Sequence, residues 1–216
     1  MKLFCVSAAI IAAAGSASAA ILVSWDSTGM AGNEASMPVS FAVPGISSAT
    51  ITRGPGLNAN AGANSFNSSG WQFGDATDYV ELSFTIDPGY SVNLTGFQSA
   101  SQASATGPRF MGFYTSTDGF ASPIFTTDQP SAANLNINES LSLSGLTGSV
   151  SFRFRPTANI APNGGTISAN GTWRIWDFNA GSGNFIDTNF QGEIIPAPAS
   201  IALVGLAGLV VGRRRR

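Results

Sequence analysis

No histidine occurs in the 216 residues, and the one cysteine is Cys5. Without histidine the chain lacks the side chain that most often serves as a general base near neutral pH. It also lacks the Ser-His-Asp arrangement and the commonest protein ligand for zinc and iron. Because Cys5 falls within the first twenty residues, in a segment with the features of a leader, the mature chain is expected to have neither disulfide nor thiol nucleophile. Charge is scarce too: Asp, Glu, Lys and Arg make up 10% of the residues, against about 25% in an ordinary soluble domain. Of the ten basic residues, Lys2 and Arg213 to Arg216 lie at the two ends. Arg53, Arg109, Arg153, Arg155 and Arg174 are left against twelve acids, and this acidic body argues against nucleic acid as a partner, whose binding begins by neutralising phosphates.

What the chain has in quantity is Gly, Ser, Asn and Ala around short apolar runs, a composition and length suited to one domain with a real core. The start, MKLFCVSAAIIAAAGSASAA, places Lys2 before an apolar run from Leu3 to Ala14, with small residues at Ala17 and Ala19. That pattern predicts a signal peptide over residues 1–19, cleaved after Ala19, and export through the Sec machinery. The apolar run is too short for the ~20 residues of a membrane span. Cys5 precedes the run instead of following it, which sets aside a lipidated lipoprotein cysteine.

Residues 20–195 read as all-β. In DYVELSFTID, Val80, Leu82, Phe84 and Ile86 share one face, while Tyr79, Glu81, Ser83 and Thr85 share the other. This period of two marks a half-buried strand. SVSFRFRP repeats it, with Val150, Phe152 and Phe154 opposite Ser151, Arg153 and Arg155, until Pro156 stops the run. ILVSW, YSVNLTGF, RFMGFYTS, NLNIN, LSLSGL, TWRIWDF and FQGEII are further short strand candidates between turn-forming clusters. Asp118-Gly119 predicts a hairpin turn. With no helical period in the body, each strand must bury one face against another sheet, so a jelly-roll-like antiparallel β-sandwich is expected. A membrane barrel would need strands of about ten residues throughout. The stretch from Ser27 to Gly70 has few apolar anchors and reads as an exposed loop.

At the C-terminus, Pro196, Ala197 and Pro198 precede an apolar segment and then Arg213, Arg214, Arg215 and Arg216. As a helix, the stretch from Ala199 to Gly212 would be about 21 Å long at 1.5 Å per residue, short for a hydrocarbon core of ~30 Å. The arginines direct this end to the cytoplasm and the body outside, in agreement with the leader. Residues 196–216 resemble the PEP-CTERM sorting signal of Gram-negative bacteria, with Ala197 standing where that family has Glu. The resemblance implies a transmembrane sorting helix, transient anchoring in the inner membrane, cleavage near the motif by an exosortase, and a product at the cell surface or outside, associated with exopolysaccharide and biofilm. The body is similar, more loosely, to β-sandwich domains carried by such exported proteins, and that similarity transfers no catalytic residues.

Several body residues are candidates for ligand contact. Trp71, Trp173, Trp176 and Tyr114 could stack on sugar rings, or serve as ordinary core and rim aromatics. Arg153 and Arg155 could hold carboxylates of an acidic polysaccharide, or form a solvated strand face. Asp75 and Asp78 with loop Asn residues could take calcium, although no EF-hand spacing is present and no other cofactor is indicated. Glu34, Glu81, Glu139 and Glu193 are scattered without a recognisable catalytic context, and glycoside hydrolysis needs two carboxylates a few ångströms apart. The expected function is an exported, non-enzymatic surface or matrix protein. A carbohydrate-binding module for extracellular polysaccharide is the alternative, and a glycan hydrolase or lyase a more distant one.

Overall fold

A computed structural model describes residues 20–197. The expected signal peptide, including Ala17 and Ala19, lies outside the described residues, as do Pro198, the expected sorting helix and Arg213 to Arg216. In chain order the strands begin with β1 (Ala20–Trp25), β2 (Ser36–Pro38), β3 (Phe41–Ala42), β4 (Ile46–Arg53), β5 (Asn58–Ala59) and β6 (Phe66–Ser69). Next come β7 (Val80–Ile86), β8 (Tyr90–Ala103), β9 (Phe110–Thr115), β10 (Pro123–Asp128) and β11 (Leu135–Leu146). The last are β12 (Gly148–Pro156), β13 (Trp173–Trp176), β14 (Phe178–Gly181), β15 (Asn184–Ile186) and β16 (Thr188–Pro196).

The fold is all-β and antiparallel. One sheet runs β3-β1-β16-β8-β13-β6-β5, with β11 also on β8; the other runs β10-β9-β12-β7-β4-β2; β14 and β15 form a separate hairpin. The alternations read from sequence set which faces are inside: Val80, Leu82, Phe84 and Ile86 of β7 and Val150, Phe152 and Phe154 of β12 are all buried. Phe97 and Phe190 from the first sheet meet Phe113 and Phe152 from the second, with ring centroids 4.7 Å apart for Phe97–Phe113 and 4.5 Å for Phe152–Phe190. The two sheets thus share one apolar interior, so β8 and β11, although long, belong to a sandwich.

Strand β8 organises the first sheet. Along one edge it pairs with β11; along the other, β16 takes Tyr90 to Gln98 and β13 takes Ala100 to Ala103, end to end. At the join neither strand completes the ladder. There the buried Ser99 and Thr188 hydroxyls lie 2.8 Å apart, and each donates to the carbonyl of Trp176, at 3.1 and 3.0 Å. Side-chain hydroxyls thereby satisfy a backbone acceptor that would otherwise be buried unpaired. Beyond this break the chain leaves the sheet as the β14–β15 hairpin.

Two sequence expectations change. Ser27 to Gly70 is not a single exposed loop: it contains five strands, and Met37, Ile51 and Phe66 are fully buried. Their apolar residues are too far apart along the chain to show a period, and tertiary burial selects them. At the β4 end, Arg53 holds this region together. Its guanidinium lies 3.7 Å from the Phe66 ring centre and donates to the carbonyls of Gly32 (2.7 Å), Glu34 (2.5 Å) and Asn67 (2.6 Å). Burial lowers the Arg53 pKa to about 10, with Glu34 opposing the shift. NLNIN and LSLSGL, expected as separate strands, are one strand, β11, with register irregularities between Ser140 and Leu146.

The expected β9–β10 hairpin forms through a 3-10 turn at Ser116–Asp118, closed by Gly119 at φ 70. Strand β16 runs one residue past the expected domain boundary: Pro196 pairs with Tyr90, and the Ala197 amide donates to the Gly89 carbonyl at 2.7 Å. Pro196 and Ala197, the first two residues of the expected sorting motif, therefore abut the folded sandwich.

Candidate functional site

The outward face of the second sheet gathers three of the candidate residues. Cross-strand register places Arg153 beside both Glu81 and Tyr114. Arg153 Nε donates to Glu81 Oε2 at 2.6 Å, and its guanidinium is held between the rings of Tyr79 and Phe120, each 3.9 Å away. Phe120 reaches it from a backbone at φ 60, a left-handed conformation unusual for a bulky residue, where its amide N–H donates a hydrogen bond to the Thr115 carbonyl. Arg153 is therefore committed to the protein. Arg155, two residues on, lies 5.5 Å from the Tyr114 ring and has no carboxylate partner among the described residues. It lines a polar cavity of about 320 Å³ with Phe73, Asp75, Tyr114, Phe120 and Thr157. Phe73 is 51% exposed.

Trp71 and Trp173 cannot serve as sugar platforms. Both are in the core with ring centroids 5.9 Å apart, and Trp71 Nε1 donates to the Ser68 carbonyl. Burial removes the free ring face that stacking needs. Trp176 differs, since β13 turns it outward at the break in the first sheet. In TWRIWDF, Trp173, Ile175 and Asp177 do share one face as the alternation implies, and all three are buried.

Trp176, Asp177, Ser27, Thr28, Asn64 and Phe185 line a second cavity of about 220 Å³. Trp176 and Phe185 stand 6.4 Å apart with their rings inclined at 42°. Asp177 is 5% exposed and accepts from the Ser27 amide at 3.1 Å and the Thr28 hydroxyl at 3.4 Å. Burial pushes its carboxyl above the usual range; the Ser27 amide and hydroxyl oppose this, and Asp26 and Asp187 reinforce it. A carboxyl that holds its proton more tightly when folded contributes stability below the unfolded carboxylate range, near pH 4, and loses it as pH rises through the native value. Asp177→Asn is therefore expected to gain stability relative to the parent between about pH 3 and about pH 7, where the parent's cost grows. Urea midpoints at the two pH values measure this, and a shift in the parent's favour would refute it.

The calcium candidates are brought close together but not into a cage. Asp75 accepts from the Thr77 amide and hydroxyl, and Asp78 is buried and accepts from the Gln72 amide at 2.5 Å. Burial raises the Asp78 pKa, while the Thr77 bonds lower that of Asp75. Among the described residues, no three acidic side chains converge as metal ligands. The four glutamates stand apart: Glu34 accepts from the Ala31 and Gly32 amides, Glu81 pairs with Arg153, Glu193 accepts from Asn93, and Glu139 lies on β11.

Sequence reasoning did not single out Asp177, Ser27 or Phe185 as site residues. Ser27 is separated from Asp177 by 150 positions, and no local pattern joins them. These features define an all-β, antiparallel protein of two packed sheets with an arginine-aromatic groove on one and an acidic aromatic cleft at a break in the other. Compared with protein-family models, with curated proteins and with solved structures, the chain matches none.

Proposed function

We propose that this is an exported, non-enzymatic surface or extracellular-matrix protein whose jelly-roll-like sandwich associates with an acidic exopolysaccharide. The observation that carries the glycan reading is Arg155, a guanidinium without a carboxylate partner among the described residues, set beside Tyr114 in an open polar cavity. A planar guanidinium pairs with a uronate carboxylate through two parallel hydrogen bonds, and Tyr114, Phe120 and Phe73 offer apolar surface for the sugar ring. Export rests on the leader at residues 1–19, and sorting on residues 196–216 with their resemblance to the exosortase signal. In this reading the chain passes through the inner membrane and is cut near Pro196 to Pro198.

Two measurements test the proposal separately. Intact mass spectrometry of protein from native cells and medium is expected to show loss of residues 1–19, and loss of the tail only when the host's exosortase is present. A mature chain retaining Arg213 to Arg216 would make it a membrane-anchored domain instead. Arg155→Gln is expected to weaken binding to a uronate polysaccharide roughly tenfold, the scale of a lost charge-assisted hydrogen bond, while a neutral polysaccharide binds parent and variant alike. Equal uronate affinity in parent and variant would remove the groove from the proposal.

A further inference from the structure

The cleft at the β13–β16 break is separate from the arginine groove and has the opposite electrostatic character. We infer that it is a binding site for a small hydroxylated organic cation, an ammonium group on a sugar or amino alcohol, held by the Trp176 ring and the Asp177 carboxylate. The inference does not rest on the acidic-glycan reading. Three observations point to a ligand of this class.

First, the cleft contains a buried carboxylate with no cation beside it. Asp177 has the Ser27 amide and the Thr28 hydroxyl as donors, with the Ser27 hydroxyl beside it, and Asp26 and Asp187 add negative potential nearby. Asp26 is engaged by the Thr28 amide, and Asp187 accepts from the hydroxyls of Ser24 and Ser40. No arginine lines the cleft; Arg174 lies 5.5 Å from the Trp176 ring and lines a different groove, with Asn60, Asn67 and Gln102. A buried acid of this kind gains most from a ligand that brings its own positive charge.

Second, the walls suit a cation better than an anion. Trp176 and Phe185 line the cleft, aromatic ring faces carry the negative side of the ring quadrupole, and an ammonium within about 6 Å of an indole is attracted to it.

Third, polar groups in the cleft remain unused. The Trp176 Nε1–H is buried and unpaired, and the Ser27 hydroxyl, in a residue 1% exposed, has no partner beyond the Asp177 carboxylate beside it. A bare cation could use the serine oxygen but could not accept from the indole N–H. A ligand carrying hydroxyls as well as an ammonium can do both. A metal ion fits less well, because among the described residues no three acidic groups converge.

The test uses the full-length chain in mild detergent, with glucosamine as probe and glucose as its neutral counterpart. Tryptophan fluorescence and titration calorimetry are expected to show glucosamine binding at least about tenfold more tightly than glucose, the scale expected for a desolvated cation–π contact with an added carboxylate. Asp177→Asn and Trp176→Ala should each weaken glucosamine binding about tenfold, with less effect of Phe185→Ala. Thermal melting reports whether each variant folds. Phe185 is 51% exposed, so its replacement leaves the core intact and, with Asp177→Asn, decides the matter if Trp176→Ala does not fold. Equal affinity for the two sugars, no glucosamine binding, or folded variants that bind as the parent does would each overturn the site. Loss of uronate binding in Arg155→Gln leaves this result untouched, so the two readings fail independently.

Discussion

Phe113→Ala is expected to lower the stability of the sandwich by about 3–5 kcal/mol, the cost of emptying a fully buried aromatic site. Phe113 is completely buried, and its ring lies within 4.5 to 6.2 Å, centroid to centroid, of Phe97, Phe125, Phe152, Phe154 and Phe190. Those rings come from both sheets, so the cavity would open at the contact between the layers. A backbone held by ladders on both sides of β9 cannot collapse into it, and the surrounding rings would lose dispersion contacts as well as buried area. Phe113→Leu fills most of the same space and should cost appreciably less. Urea denaturation followed by tryptophan fluorescence measures both, since Trp25, Trp71 and Trp173 are in the core. An alanine variant within about 1 kcal/mol of the parent would show that the two layers are not packed through this cluster.

Arg53→Met should also be costly, at roughly 1–3 kcal/mol, for a different reason. Methionine keeps much of the stem that crosses Phe66 but removes the donors from the Gly32, Glu34 and Asn67 carbonyls. The Gly32 and Asn67 carbonyls keep the amides of Asn67 and Asn60, so the Glu34 carbonyl is the one left without its donor, at a cost of ~1–3 kcal/mol. Arg53→Lys should recover only part, because a compact ammonium cannot reproduce the planar fork that serves three segments at once. Hydrogen exchange adds a local readout: in Arg53→Met the amides of Asn67 and Gly62, which bond to the Gly32 and Ala31 carbonyls, should exchange faster than those of β7 and β12. Uniform exchange across the sandwich would assign Arg53 a merely global role.

The residues explain why some of this was legible and some was not. Strands β7 and β12 each alternate apolar and polar side chains without interruption, and such a run can satisfy only one face toward an interior. Arg153, Arg155 and Tyr114 were accessible to the same logic, because alternation assigns them to the outward face before any partner is known. The pairing of Arg153 with Glu81 needed the register between β12 and β7, which joins residues 72 positions apart. Trp71 and Trp176 look alike in the sequence, yet one lies in the core and the other lines a cleft, a difference set by neighbours distant in the chain.

From the sequence alone came the all-β class, the inward faces of the long regular strands and the expectation of an exported, tail-sorted protein, because these depend on local period, charge and order along the chain. Tertiary structure decided that Ser27 to Gly70 is a built part of the sandwich, that Arg53 bonds three separated carbonyls, and that Arg155 rather than Arg153 lacks a carboxylate partner among the described residues. It also decided that β13 and β16 meet end to end on β8, opening the cleft where Ser27, Trp176, Asp177 and Phe185 converge. The physical reason is the range of the interactions: alternation is written between neighbours two residues apart, whereas a site is made where the sheet brings together residues that no local pattern connects.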